Sequence, residues 1–333
     1  MSAKRADKPM DAIARRLSTA GSLLILTHAR PDGDGLGSMV ALTLSAKAAG
    51  KVVKMLLPDA IPGRYELLFP DERPAPAEDF AALADEADLV VILDTCAFSQ
   101  LDGLEADIRA RREKVVVMDH HATRDDVGAA QWVDTSAAAT GVLTGEVIEA
   151  IGWPMGLPAA EALTVAVASD TGWLRYANTD ARCLRAVARW VDAGVRTDKL
   201  YRRLYQSDRP ERIRLMQRAL GSLELHCDGR LAVMVLRRKD FDQTRARAAE
   251  TENIVNEALR MGRVEEAVLL VEEPDCVRAS LRSRDDIDVA AVAQRFGGGG
   301  HARAAGIRAN DDIDAVKARL VEACAAELRK TGG

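Results

Sequence analysis

The sequence predicts an α/β protein: a doubly wound parallel-sheet domain, then a smaller α/β domain with a mixed sheet. Three observations lead there. Through the first two-thirds, apolar runs of about six residues alternate with helical runs, the pattern of stacked β-α units. Acidic and histidine residues recur just after those runs, where ligands sit in open parallel sheets. Beyond residue 225 the rhythm changes to a turn, a strand and a pair of adjacent strands. The chain has 333 residues, about two domains at roughly 150 residues each. The expected boundaries are a first domain at 1–195, a helical connector at 196–225 and a second domain at 226–333.

Taken in order, residues 11–20 form an amphipathic helix. Residues 22–27 (SLLILT) form a buried strand. A turn rich in Gly and Asp spans 28–37, and 38–49 form a helix rich in Ala and Leu. KVVKMLLP (51–58) is a second strand, and a helix lies near 78–86. DLVVILDTC (88–96) is a third strand carrying Asp94, and EKVVVMDHH (113–121) a fourth ending in Asp119, His120 and His121. Helices follow at 137–151, at 158–169 leading to Ser169-Asp170, and at 180–193. The charged stretch 196–221 is helical. A turn and strand occupy 226–238, a helix 250–262, and paired strands 264–273 and 276–284. Residues 289–306 read as a helix, a glycine loop and the start of another helix. A last amphipathic helix covers 311–330.

Composition excludes several classes. Hydrophobic residues are 48% and charged residues 29%, an ordinary globular balance. The five cysteines form no CxxC pair, against a thiolate zinc site and in keeping with reduced thiols in a cytosol. The charged N-terminus lacks an apolar core and does not read as a signal peptide, and no run of 18 apolar residues exists. The expected location is cytoplasmic, without a membrane. A net charge of -5 disfavours tracking along long duplex DNA, which needs a basic stripe, but permits a small phosphorylated substrate.

The chemistry lies in two clusters. Of five histidines, four fall in turns rich in Gly or Asp. A lone histidine is usually structural, and a lone aspartate usually caps a helix or forms a turn. Here His28 is followed by Asp32 and Asp34, and Asp94, the Asp119-His120-His121 triplet and Asp170 each end an apolar run. A mixed carboxylate–imidazole set suits Mn²⁺, Fe²⁺ or Zn²⁺ better than Mg²⁺. There are too many candidates for one tetrahedral site. Two metals about 3.5–4 Å apart would use them and clamp a phosphoryl group for in-line displacement. Ser22, Ser38 and Ser169 lack a His–Asp relay by sequence order. Gly33, Gly35 and Gly37 do not match G-x-G-x-x-G, so a dinucleotide fold is rejected. The second cluster is Gly297–Gly298–Gly299–Gly300–His301–Ala302–Arg303. Glycine backbone N–H groups and a new helix start suit a phosphate, with His301, Arg303, Arg282 and Arg284 as added donors. The two clusters imply a cleft whose closure sets the catalytic distances.

These motifs resemble the DHH phosphoesterase superfamily. His28-Ala-Arg-Pro-Asp32-Gly-Asp34-Gly-Leu-Gly-Ser38 is similar to its first motif, Asp94 in VILDT to the second, Asp119-His120-His121 to the third and Asp170 in SDTGW to the fourth. FGGGGHARAAG resembles the signature of a DHHA1 domain, and the likeness spans about residues 15–310. Departures are Arg30 in the first motif and Trp173-Leu174 after the fourth. The resemblance implies two Mn²⁺, with Mg²⁺ or Co²⁺ as alternatives. One ion would take His28, Asp32 and Asp94, and the other Asp34, Asp94, His120 and Asp170, with Asp94 bridging. It implies a catalytic pair, His121 beside the leaving or attacking oxygens and Asp119 as a support for the site. Arg282, Gly299, Gly300, His301 and Arg303 would bind substrate. The compact two-domain members of the superfamily hydrolyse short oligoribonucleotides to mononucleotides and 3'-phosphoadenosine-5'-phosphate (pAp) to AMP. That is the expected function, with a soluble cyclic-di-AMP or linear dinucleotide phosphodiesterase as the alternative. The expected partners are short single-stranded RNA or small phosphorylated nucleotides, and the sequence leaves a homodimer open.

Overall fold

The computed structural model describes residues 9–284 and 287–330, divided into two units, Met1–Ser207 and Asp208–Gly333. In the first, helices α1 (Pro9–Thr19), α2 (Gly33–Ala48), α3 (Phe80–Glu86), α4 (Glu105–Ala110), α5 (Thr140–Ala150), α6 (Leu157–Asp170), α7 (Ala181–Asp192) and α8 (Thr197–Tyr205) surround one sheet. Its strands are β1 (Ser22–Thr27), β2 (Val52–Leu57), β3 (Ala75–Pro76), β4 (Leu89–Leu93), β5 (Val115–Asp119) and β6 (Ala130–Val133). They run in the order β3-β2-β1-β4-β5-β6, all parallel. Side chains alternate across each strand. Leu23 and Ile25 of β1 therefore share a core with α1, α2, α5, α6 and α7. Leu24 and Leu26 face α3 and α4 on the other side. Strands buried on both faces must be apolar throughout, which is why β1, β4 and β5 read as unbroken runs. The strand order reverses between β1 and β4, leaving a crevice at their C-terminal ends.

In the second unit α9 (Pro210–Gly221) leads into β7 (Glu224–His226), β8 (Leu231–Leu236), α10 (Arg238–Thr244), α11 (Val255–Ala258), β9 (Glu266–Glu272), β10 (Val277–Ser283), α12 (Val289–Gln294), β11 (Gly299–His301), β12 (Ala304–Ala309) and α13 (Ile313–Lys330). The sheet order is β11-β12-β10-β9-β8-β7. It is mixed: β8 and β9 are parallel and the other neighbours antiparallel. One face packs on α12 and α13, the other on α9 and α11.

Four local expectations are corrected. α2 begins at Gly33, not 38, because the Asp32 carboxylate accepts the N–H groups of Asp34 and Gly35 and caps the helix there. The stretch 196–221 is two helices, since Pro210 lacks an N–H and starts α9 at its first position. The expected helix at 250–262 reduces to Val255–Ala258, with Asn253 left-handed at φ 61° just before it. No second helix starts after the glycines. Gly299–His301 pair with Ala304–Gly306 as a hairpin around Ala302-Arg303. A Cβ on Gly300 would lie 2.4 Å from the Ala304 oxygen, so the glycines serve close strand approach.

Candidate metal centre

Three strand ends and two helix ends carry the site's side chains. His28 follows β1, Asp94 follows β4, and Asp119 closes β5, with His120 and His121 next in the chain. Asp32 caps α2, Asp34 lies in its first turn, and Asp170 ends α6. The crevice between β1 and β4 is where their side chains meet. His28, Asp32 and Asp94 each offer one ligand atom within 4.8 Å of the others, and so do Asp34, His120 and Asp170. Asp94 lies between the two groups. Its Oδ2 is 3.5 Å from His28 Nε2, and its Oδ1 is 3.5 Å from His120 Nε2. His120 Nε2 is also 3.2 Å from Asp170 and 3.7 Å from Asp34.

Neighbours hold these atoms in place. Asp94 is left-handed at φ 63°, a conformation that costs a non-glycine residue and recurs at functional sites. Its N–H donates to the Met118 oxygen, and Thr140 Oγ1 donates to its Oδ1 at 3.0 Å. Asp34 is fully buried, accepting the Thr140 N–H at 2.6 Å and the Gly141 N–H at 2.8 Å from the N-terminus of α5. The Ser38 hydroxyl lies 3.2 Å from its Oδ1. Thr140 and Gly141 were not foreseen. Their only signal is local, the first turn of a helix at 140, and no spacing rule ties it to Asp34 106 positions earlier.

The donor set fits divalent cations. His28 Nδ1 lies 2.8 Å from the Ala29 oxygen and His120 Nδ1 lies 3.2 Å from the Ala137 oxygen. A carbonyl on Nδ1 keeps the proton there and leaves Nε2 as a lone pair for a metal. His120 Nε2 is buried with no hydrogen-bond partner. Without cations the carboxylates are crowded. Burial, then Asp94, Asp170 and Asp32, hold the Asp34 carboxyl well above its usual range. Burial and the Asp94 and Asp32 charges push Asp170 up to about 6 against the opposing His120 contact. For Asp32, burial works against the charge, but His28 and the Gly35 and Asp34 N–H groups outweigh it and hold the carboxyl down. Burial disfavours a charged His28, yet Asp32 and Asp94 push it up to about 11. His120 is likewise opposed by burial and driven to about 9 by Asp170 and Asp94. Raised carboxyls at Asp34 and Asp170 and raised imidazoles at His28 and His120 are what excess buried negative charge produces, and a bound cation relieves both.

His121 differs. Its Nδ1 lies 2.8 Å from Asp119 Oδ1, which also accepts the N–H of His120 and of His121. A third group of ligand atoms, Asp94, His120 and His121, also converges. Since Nδ1 of His121 is engaged by Asp119, Nε2 is the nitrogen left over, on a side chain 46% exposed. The Asp119 contact, despite burial, raises the imidazole above its ordinary value.

In the second unit, Gly297 and Gly298 donate their N–H groups to Gln294 and Ala293, closing the end of α12. Those two are therefore not available to a phosphate, contrary to the expectation that the whole glycine run is. Arg282 and His301 both pair with Ala304, so these positions form one row across the sheet. Arg303 lies in the turn, where its oxygen accepts the Ser283 N–H. The His301 side chain lies outside the described residues.

Residues 22–168 match the DHH family, N-terminal domain, and residues 228–329 match the DHHA1 domain. A relative named bifunctional oligoribonuclease and PAP phosphatase NrnA, from Thermus thermophilus, is 30% identical, covering 94% of this chain and 92% of its own. The Bacillus subtilis protein of the same name is 25% identical, covering 94% and 97%. Among solved structures, an exopolyphosphatase-related protein from Bacteroides fragilis has a TM-score of 0.89 at 22% identity, covering 97% of each chain. The exonuclease RecJ bound to manganese has a TM-score of 0.56 at 16% identity, covering 99% of this chain and 98% of its own. These two share the fold. The chain belongs to the DHH family of phosphoesterases, with a DHHA1 domain following its DHH domain.

Proposed function

We propose that this chain hydrolyses short oligoribonucleotides to mononucleotides and pAp to AMP, using two divalent cations, Mn²⁺ by preference. The observation that carries the reaction is Asp94, whose two oxygens face separate groups of histidine and carboxylate ligands. Relatives that match over nine-tenths of the chain and are named for these two activities support this substrate class.

In this reading His28, Asp32 and Asp94 hold one ion, and Asp34, Asp94, His120 and Asp170 the other. Cations held there would supply positive charge that lowers the pKa of water and offsets charge on the phosphoryl group. The remaining work belongs to the protein. Thr140 and the α5 N-terminus fix Asp94 and Asp34, so the ligands need not reorganise on binding. Asp119 fixes the His121 ring and favours its protonated form, so that Nε2–H donates to a phosphoryl or leaving oxygen. Arg282, Gly299, Gly300, His301 and Arg303 are assigned to the substrate's phosphate. The row of Arg282 and His301 positions supports that assignment. The earlier division at 1–195, 196–225 and 226–333 is kept as the functional one, although α8 belongs to the first unit and α9 to the second.

A panel of pAp, pGpG, cyclic-di-AMP and a five-nucleotide RNA, each with Mn²⁺, Mg²⁺ and Co²⁺, tests the proposal. The five-nucleotide RNA and pAp should turn over fastest, with Mn²⁺. Faster consumption of cyclic-di-AMP than of every other substrate would overturn it.

A further inference from the structure

The chain holds only four tyrosines, and all four gather at one place beside the metal centre. Tyr201 and Tyr205, one helical turn apart on α8, lie with ring centroids 5.2 Å apart. Trp173 meets both edge-on, at 5.1 and 5.7 Å. Tyr176 lies over Gly172, and Tyr65 is an electrostatic neighbour of both Tyr205 and the ligand Asp32. Tyr65 also touches the ligand-bearing segments directly. Its hydroxyl is 3.4 Å from Ser169 Oγ, and a Cβ on Gly33 would lie 2.9 Å from its ring.

The backbone here is strained. Gly172, Trp173 and Leu174 are all left-handed, at φ 54°, 61° and 62°. Two consecutive non-glycine residues in that region are costly and persist only where surroundings enforce them. The Trp173 N–H donates to the Ala168 oxygen and the Leu174 N–H to Thr171 Oγ1, holding the bend three residues past Asp170. The bend turns the chain off the end of α6 and delivers the indole to α8. Packing alone would bury the rings, yet Tyr201 is 38% and Tyr205 37% exposed. Arg64 lies 5.7 Å from the Tyr65 ring centroid, and Arg64 and Arg175 are the cationic neighbours of Tyr205.

We propose that Trp173, Tyr201 and Tyr205 form a stacking platform for one nucleobase of a short single-stranded oligoribonucleotide whose phosphodiester lies at the metal centre. Two tyrosine rings exposed by more than a third, backed by a partly buried Trp173 and flanked by arginines, combine a π-face with charge for a polyanion, as single-strand binding requires. Continuity with Asp32, Gly33 and Ser169 favours a part of the substrate over an unrelated apolar partner. Stacking on any base face is sequence-tolerant, so the platform would read chain length rather than sequence.

The inference rests on the oligoribonuclease reading, and the test separates the two. Kd and KM are measured for pApA and for analogues with either base replaced by an abasic ribose. Wild type is compared with Tyr201→Leu, Tyr205→Leu and Trp173→Phe. In the leucine variants the preference for pApA over one abasic analogue should fall ~10-fold, through Kd and KM rather than kcat, with the melting temperature kept. Trp173→Phe, which keeps a ring, should retain most of the preference. An unchanged preference, or equal losses on all three ligands, would overturn the platform. Absence of hydrolysis in wild type would sink the functional reading, while the Kd ratio would still decide the platform.

Discussion

In the proposed two-cation reading both ligand groups share Asp94, whose two oxygens face His28 and His120 from a left-handed backbone. Asp94→Asn should lower hydrolysis by more than the roughly 10–100-fold that loss of an outer supporting partner costs. It should also lower bound Mn²⁺ per chain, read by elemental analysis, and unchanged turnover would remove the two-metal reading. Asp119 holds the His121 ring with its carboxylate and meets His120 at the backbone N–H rather than the ring, so its change should be milder. Asp119→Asn should cut kcat by about 10–100-fold and leave metal content intact. Asp119 raises His121, so removing the charge lowers the imidazole and moves the alkaline limb of the rate profile to lower pH. A profile that keeps its limb would show that His121 is not the donor.

At the scale of elements, the position of α2 matters most, since it carries Asp32 at its cap and Asp34 in its first turn. α2 can lie this close to α6 because Gly37 has no side chain. A Cβ there would sit 2.4 Å from the Ala162 oxygen, a backbone atom that cannot give way. Gly37→Val should therefore destabilise the protein by roughly 1–3 kcal/mol or more, as overpacking does, and reduce metal affinity together with stability. A melting temperature equal to wild type would contradict this close contact. The glycines of the first motif read as a loop in the sequence because glycine is a poor helix former. Asp32 capping and packing against α6 override that propensity. The same conflict hid β11: a glycine run signals a loop, and only pairing with β12 makes it a strand.

At the scale of the molecule, two effects on global stability follow from buried charge. Cations that bind the crowded carboxylates of the folded chain stabilise it by linkage, about 2.7 kcal/mol at a hundredfold excess over Kd. EDTA should abolish activity and lower the melting temperature, and Mn²⁺ should restore both. The second effect lies in the other unit. Glu266 is fully buried on β9, and burial pushes its carboxyl from 4.5 to about 7, against the Cys324 thiol and with the Glu327 charge. A folded pKa above the unfolded one gives stability present below about pH 4.5 and lost as pH rises through about 7. At pH 8 that loss is about 3 kcal/mol. Glu266→Gln should be more stable than wild type at pH 8, with the difference shrinking toward pH 5. Denaturant unfolding at the two pH values measures it, and a difference independent of pH would refute the assignment. Among the described residues no helix is long and apolar enough to cross a membrane.

The sequence by itself determined the class of fold, four of the six strands of the parallel sheet (β1, β2, β4 and β5, but not the edge strands β3 and β6) and the candidate ligands. Those signals are local: a strand buried on both faces must be apolar, and a carboxylate or imidazole just past its end lies where open sheets bind ligands. The tertiary structure decided what no local signal carries. The strand order brings Asp94 between His28 and His120, although the three lie on separate loops. Thr140 reaches Asp34, and Tyr65 reaches Ser169, only through helix packing. The start of α2, the break before Pro210 and the β11 hairpin were also settled by contacts distant in sequence. Propensity weighs each residue with its neighbours in the chain, whereas a buried group is placed by whatever fills the space beside it.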